Sequence, residues 1–313
     1  MKTVDTIPSG DMDFSRYVDL LRSHHAEAKK MSEVLEKIPI FEKRAYRMSH
    51  CSTIATGKYC PKCKTFHTVR ASLCRDRLCP NCGWILARRR AYAISDSVEG
   101  LSNIFDPVVL HVVLTMKHSK SDELSAMIDT LLQGFRKLIR NKRLSDGRLG
   151  YIRSVEVKHN KSGFHPHIHL LLIMDSSYYD HMIKQKDLVA MWREACGFDY
   201  DPVVWIKSAY DKDGSGDLKQ AIYECVKYSV KSSEWSKMSR KALYNAAMAI
   251  HSRTLFFVGG KLLRREYKAA IERQAPFCDD ADLKICKKCG SVKYDMTLNA
   301  EAIGYEFDKE TIQ

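Results

Sequence analysis

Apolar and polar residues follow two alternating rhythms through the middle of the chain. "VVLHVVLTM" (108–116) is an almost unbroken apolar run of strand length and predicts a buried strand. "SDELSAMIDTLLQGFRKLIR" (121–140) repeats its apolar residues at helical spacing behind a polar, acidic start and predicts a helix. "YIRSVEVK" (151–158) and "HPHIHLLLIM" (165–174) predict two more strands, joined through the turn-like "HNKSG" that ends in Gly163. A helix over about 183–196, a short strand at 202–208 and helices at 217–232 and 240–250 complete the series. The order β-α-β-β-α-β is that of a split βαβ sandwich, so the expected class is α+β, ferredoxin-like, around a central antiparallel sheet.

Around this core domain, taken as 101–274, three other parts stand out. Residues 1–48 read as a helical, polar N-terminal extension, 49–100 as a basic cysteine-rich module ending in a helix near 85–97, and 275–313 as a small tail. The net charge of +13 is concentrated: between Phe41 and Arg90 there are twelve Lys or Arg against two acids. So dense a basic block, set among cysteines and aromatics, suits an anionic polymer better than a merely solvated face, because each neutralised phosphate releases counterions. Arg75, Arg77, Arg88, Arg89 and Arg90 are the candidate contacts. No apolar run reaches the length of a membrane span, and a cytoplasmic location is expected. Eleven cysteines in such a chain argue for metal rather than disulfides. Cys60-x-x-Cys63 and Cys79-x-x-Cys82, with fifteen residues between the pairs, have the spacing of one structural zinc site. Cys51, His67 and Cys74 lie nearby, and Cys286-x-x-Cys289 is half a site that could join Cys51 or Cys74.

Side chains on a strand alternate between faces, so His165, His167 and His169 share one face. An antiparallel hairpin turning in "HNKSG" brings Glu156 opposite His167 or His169 on that face. Two imidazoles and one carboxylate form a divalent-metal site with open positions. In "DLKQAIYECVKYSVKS" the apolar stripe is Leu218, Ile222, Cys225 and Val226, while Glu224, Tyr228 and Lys231 share another face at i, i+4 and i+7. A tyrosine between a carboxylate and an ammonium, off the core face, is a candidate nucleophile.

These motifs resemble the HUH endonucleases, and among them the rolling-circle replication initiators with a single catalytic tyrosine. The HUH motif corresponds to His167-Ile168-His169, "VVLTM" stands where the family's first motif stands, and "ECVKYSVK" resembles the branch with a glutamate four residues before the tyrosine. "CRDRLCPNC" (74–82) and "SRTLFFVGGKLL" (252–263) resemble the same branch. The resemblance implies that His167, His169 and Glu156 hold Mg²⁺ or Mn²⁺, with His165 flanking the site. It implies that Tyr228 attacks a phosphodiester to form a 5′-phosphotyrosine, with Lys231 on the phosphate and Glu224 as base. The expected partner is single-stranded or hairpin origin DNA. No phosphate-binding "GxxxxGK[ST]" occurs, so unwinding is expected from a host helicase. A transposase or relaxase would share this chemistry, and a non-catalytic zinc-ribbon nucleic-acid-binding protein would lack it.

Overall fold

The structure is a computed structural model; it describes residues 12–120, 122–210, 217–226, 235, 237–251, 253–274, 284–301 and 306–307. The described strands are β1 (Met12–Asp13), β2 (Ile54–Cys60), β3 (Thr65–Ala71), β4 (Val108–Leu114), β5 (Arg148–Asn160), β6 (Gly163–Met174), β7 (Val204–Tyr210), β8 (Phe256–Gly259), β9 (Tyr294–Asn299) and β10 (Glu306–Phe307). The helices are α1 (Phe14–Glu36), α2 (Glu42–Ser49), α3 (Pro80–Ser102), α4 (Leu124–Leu138), α5 (Lys142–Ser145), α6 (Gln185–Cys196), α7 (Leu218–Val226), α8 (Arg240–His251) and α9 (Lys261–Arg273). The chain divides into two compact units, Ala87–Glu272 on one side and Met1–Leu86 with Arg273–Gln313 on the other. The class is α+β with antiparallel sheets, as the apolar rhythms predict.

In the Ala87–Glu272 unit five strands form one antiparallel sheet in the order β7-β4-β6-β5-β8. The apolar runs of β4 and β6 become its central strands because both of their faces are covered. On one face Leu171, Ile173, Ile152 and Val109 pack with Ile94, Val98 and Leu101 of α3 and Ile222 and Cys225 of α7. On the other face Phe135 of α4 meets the ring of Tyr151, and α4 packs in turn against α6 and α8. From Ile168 to Met174, all residues but the polar His169 are apolar and at most 1 % exposed. Each such side chain contributes roughly 1.5–3 kcal/mol through burial. The short strand β8, inside "SRTLFFVGGKLL", extends the sheet beyond β5 and was not anticipated from periodicity. Of the helix expected over 217–232, the described part is Leu218–Val226; the remainder lies outside the described residues.

The other unit is built on a second antiparallel sheet, ordered β1-β3-β2-β9-β10. Tyr17, Val18 and Leu21 of α1 cover it, packing on Ala55, Phe66, Met296 and Leu298. Strand β9 adds to β2 with Tyr59 opposite Tyr294, so a segment near the chain's end supplies an interior strand of a sheet begun near residue 54.

Candidate metal centre and cysteine clusters

The β5–β6 hairpin sets its register with Glu156 opposite His167 and Ser154 opposite His169. Glu156 and both histidines therefore project from one face, and all three are buried. One carboxylate oxygen, Glu156 Oε2, lies 3.0 Å from His167 Nε2 and 3.0 Å from His169 Nε2. His167 Nδ1 lies 3.2 Å from the carbonyl of His165, so with a cation on Nε2 the Nδ1–H would donate to that carbonyl. Burial alone would raise the Glu156 carboxyl, but the hydrogen bonds from His167 and His169 outweigh it and hold the group well below the usual carboxylate range. His169 is shifted down, chiefly by burial. Three donors from two neighbouring strands, with one anionic oxygen between two Nε2 atoms, suit a divalent cation.

His165 flanks this group. Its ring stacks on His118 at 4.4 Å, and burial with the nearby charges of His167 and His118 lowers it to about 4. His111 of β4 was not singled out in the sequence, yet its Nε2 lies 3.3 Å from His169 Nδ1. A single imidazole within an apolar run carries no pattern; only the pairing of β4 with β6 identifies its neighbour.

The cysteines form two clusters, and the expected single site combining Cys60, Cys63, Cys79 and Cys82 is corrected. Cys51, Cys74, Cys79 and Cys82 converge in one, and Cys60, Cys63, Cys286 and Cys289 in the other. The reason is the β2–β3 hairpin. Cys60 and Cys63 sit at its turn, whereas Cys51 and Cys74 flank its open end, roughly 20 Å away at strand rise. Cys79 and Cys82 follow the open end, at the start of α3, and meet Cys51 and Cys74 there. Sulfur separations of 3.6 Å (Cys51–Cys82), 3.7 Å (Cys74–Cys82) and 3.6 Å (Cys51–Cys79) are those of free thiols, too long for disulfides. The backbone N–H of Arg75 and the side-chain amide of Asn81 donate to this cluster, to Cys82 Sγ and Cys51 Sγ.

A family model described as "Replication protein" matches residues 65–294, a span that holds the acid–histidine group and five of the eight clustered cysteines. The chain belongs to the replication protein family. The family resemblance drawn from scattered motifs is thereby borne out. A "Protein rep" of Streptococcus pneumoniae is 36% identical over 169 residues, 52% of this chain and 52% of that one, so the match spans about half the relative's length. A "Protein rep" of Bacillus amyloliquefaciens is 27% identical over 271 residues, 79% of this chain and 78% of its own. One from Staphylococcus aureus is 27% identical over 227 residues, covering 70% of this chain and 97% of its own. No solved structure matches.

Among the other candidate residues of this replication protein, Glu224 is half-buried on α7, accepts from Gln220 Nε2 at 3.1 Å, and is close enough for its charge to act on His169. Tyr228 and Lys231 lie outside the described residues. Arg75 and Arg77 are exposed on either side of buried Asp76, whose carboxylate takes two 2.7 Å hydrogen bonds from Arg44. Arg88, Arg89 and Arg90 are half-buried. Arg90 stacks 3.9 Å above the Phe256 ring, and Arg88 reaches Tyr92 Oη at 3.3 Å, so this block is partly committed to packing. No helix among the described residues is long and apolar enough to cross a membrane.

Proposed function

We propose that this replication protein initiates rolling-circle replication as a metal-dependent DNA endonuclease and strand transferase. The observation that carries the reading is the convergence of Glu156, His167 and His169 on one sheet face. The strand order β7-β4-β6-β5 supports a split βαβ, ferredoxin-like nuclease core, with α7 packed over the face that bears the site.

Glu156, His167 and His169 would hold Mg²⁺ or Mn²⁺. When bound, the cation supplies charge stabilisation at the non-bridging oxygens of the scissile phosphate. Tyr228 then forms the bond to phosphorus while the P–O3′ bond breaks, leaving a 5′-phosphotyrosine and a free 3′-hydroxyl. Glu224, four residues before Tyr228 in the sequence, takes up a proton, and Lys231 pairs with the phosphate. The same steps in reverse, with a new 3′-hydroxyl attacking the phosphotyrosine, rejoin strands. Zinc held by Cys51, Cys74, Cys79 and Cys82 would fix the start of α3; four thiolates in a buried, hydrogen-bonded group fit a closed structural site. Origin DNA is the substrate, and a host helicase the expected partner for unwinding.

Incubation of the full chain with a single-stranded origin oligonucleotide and Mn²⁺ tests the reading. Wild type should yield a covalent protein–DNA adduct, and Tyr228→Phe none. A wild-type protein that binds the strand without forming an adduct would establish the non-catalytic alternative.

A further inference from the structure

We propose that Cys60, Cys63, Cys286 and Cys289 hold a second zinc ion that shapes a lysine-rich contact surface for the backbone of duplex DNA. The four sulfurs lie within 4.8 Å of one another, with Cys60 to Cys289 at 3.6 Å and Cys63 to Cys286 at 3.9 Å. A tetrahedral site with Zn–S near 2.3 Å places its sulfurs about 3.8 Å apart. The two Cys-x-x-Cys segments are also built alike. Each ends in a residue with left-handed backbone, Lys64 at φ 52° and Gly290 at φ 71°. In the second, Gly290 N–H donates to the Cys286 carbonyl at 2.8 Å, Cys286 N–H to the Ser291 carbonyl at 2.8 Å, and Ser291 donates to the Cys289 sulfur. Left-handed non-glycine residues cost energy and persist where the surroundings demand them. Among the described residues the other two, Ser52 (φ 60°) and Arg75 (φ 57°), each directly follow a cysteine of the first cluster.

The surface around this site points to its partner. Lys62, Lys64, Lys284, Lys287 and Lys288 are exposed, and none has an ion-pair partner among the described residues. The one acid in 58–65 and 284–295 is Asp295, which is engaged by Lys58 at 2.7 Å. Five compact ammonium groups match phosphates rather than base edges. Single-strand binding normally adds a row of stacking aromatics, and among the described residues beside this site Tyr294 is the one exposed aromatic, next to the aliphatics Ile285 and Val292. Duplex DNA is therefore the fitting ligand. The choice of DNA rests on the replication reading above, but the metal and the binding are both measured without cleavage.

The test uses the full chain. Metal analysis should find two zinc ions per chain, and one in Cys286→Ser/Cys289→Ser. Lys62→Ala/Lys287→Ala/Lys288→Ala should keep both zinc ions and still form the adduct with a single-stranded oligonucleotide. Its affinity for a random-sequence 30-base-pair duplex should fall on the order of 10²-fold at 0.1 M salt, with the log–log salt slope flattened by about 2.7. One zinc per chain with all eight cysteines intact would overturn the metal site. Unchanged duplex affinity and slope in the lysine variant, or a loss confined to single strands, would overturn the duplex surface. Absence of adduct in wild type, with zinc and duplex binding as expected, would count against the nuclease reading alone.

Discussion

His111 stands in the middle of an apolar strand with its ring edge against Trp205 and its Nε2 facing His169 Nδ1. With a cation held between Glu156 and His169 Nε2, the His169 proton would sit on Nδ1 and His111 Nε2 would accept it. Outer partners of this kind fix the tautomer and orientation of a ligand. His111→Ala should lower Mn²⁺ affinity about 10–100-fold in a direct titration, with His111→Gln recovering part of it; affinity unchanged in both would reduce His111 to packing. Glu224 and Tyr223 pose the other question at this scale. On the proposed mechanism a single nucleophile would open the strand once and stay joined to it, so a second cleavage would need another attacking group. The charge of Glu224 reaches His169, and on the same proposal this carboxylate would deprotonate a water for that step. Tyr223 is 60% exposed and beside the buried residues of α7. Glu224→Ala should form the first adduct yet terminate poorly on a two-site substrate, while Tyr223→Phe completes both steps. Termination blocked by Tyr223→Phe would replace the water with a second phenol.

At the scale of elements, periodicity carried most of the central sheet. The alternation of His165, His167 and His169, and the length of the apolar runs, fixed both the hairpin and the face that bears the site. Strand β8 escaped because its four residues, the last of them the first of two glycines, hold no readable period. Its segment is explained by contacts instead. Gly260 has φ 90°, and a Cβ there would meet Gly150 Cα at 2.7 Å, while a Cβ at Gly259 would enter the Tyr151 ring. These glycines let α9 start flush against β5. Arg253, just before the strand, forks onto Asp129 of α4 at 2.8 Å and 2.6 Å and also reaches the Ser125 hydroxyl at 2.7 Å. The Arg253 hydrogen bonds hold the Asp129 carboxyl below its ordinary value. Between that depressed value and the unfolded one near 3.9, the unfolded chain binds the extra proton. The stabilisation is thus complete above about pH 4 and lost as pH falls through the folded value. Asp129 is half exposed, so about 1 kcal/mol is the scale, or roughly 2–4 °C in the unfolding midpoint of a unit this size. Arg253→Lys, which loses the fork, and Asp129→Asn should each show that deficit at pH 7 and converge on wild type in acid. A deficit independent of pH would assign the effect to packing.

On the scale of the whole molecule, cysteine spacing announced metal but misdirected its partition. Sequence neighbours Cys63 and Cys79 belong to different clusters, while Cys60 and Cys286, far apart in the chain, share one. Only the length of the β2–β3 hairpin and the pairing of β9 with β2 decide this, and both are long-range facts. The consequence is a chain whose two units carry different kinds of candidate metal site. Both cysteine clusters fall within Met1–Leu86 and Arg273–Gln313, and the acid–histidine group falls within Ala87–Glu272. Structural zinc contributes directly to folding free energy, whereas a cation at a preformed surface of a sheet adds only its binding energy. Stripping zinc with a strong chelator should therefore lower one calorimetric transition by tens of degrees or abolish it, leaving a second near its original midpoint. Adding Mn²⁺ to the untreated protein should raise only that second transition, by about 2.7 kcal/mol at 100 times the dissociation constant. Glu156→Gln should remove the Mn²⁺ response and leave the zinc-dependent transition where it was. A single transition that moves as one with both metals would mean that the units unfold together, and that the two kinds of site stabilise one cooperative structure.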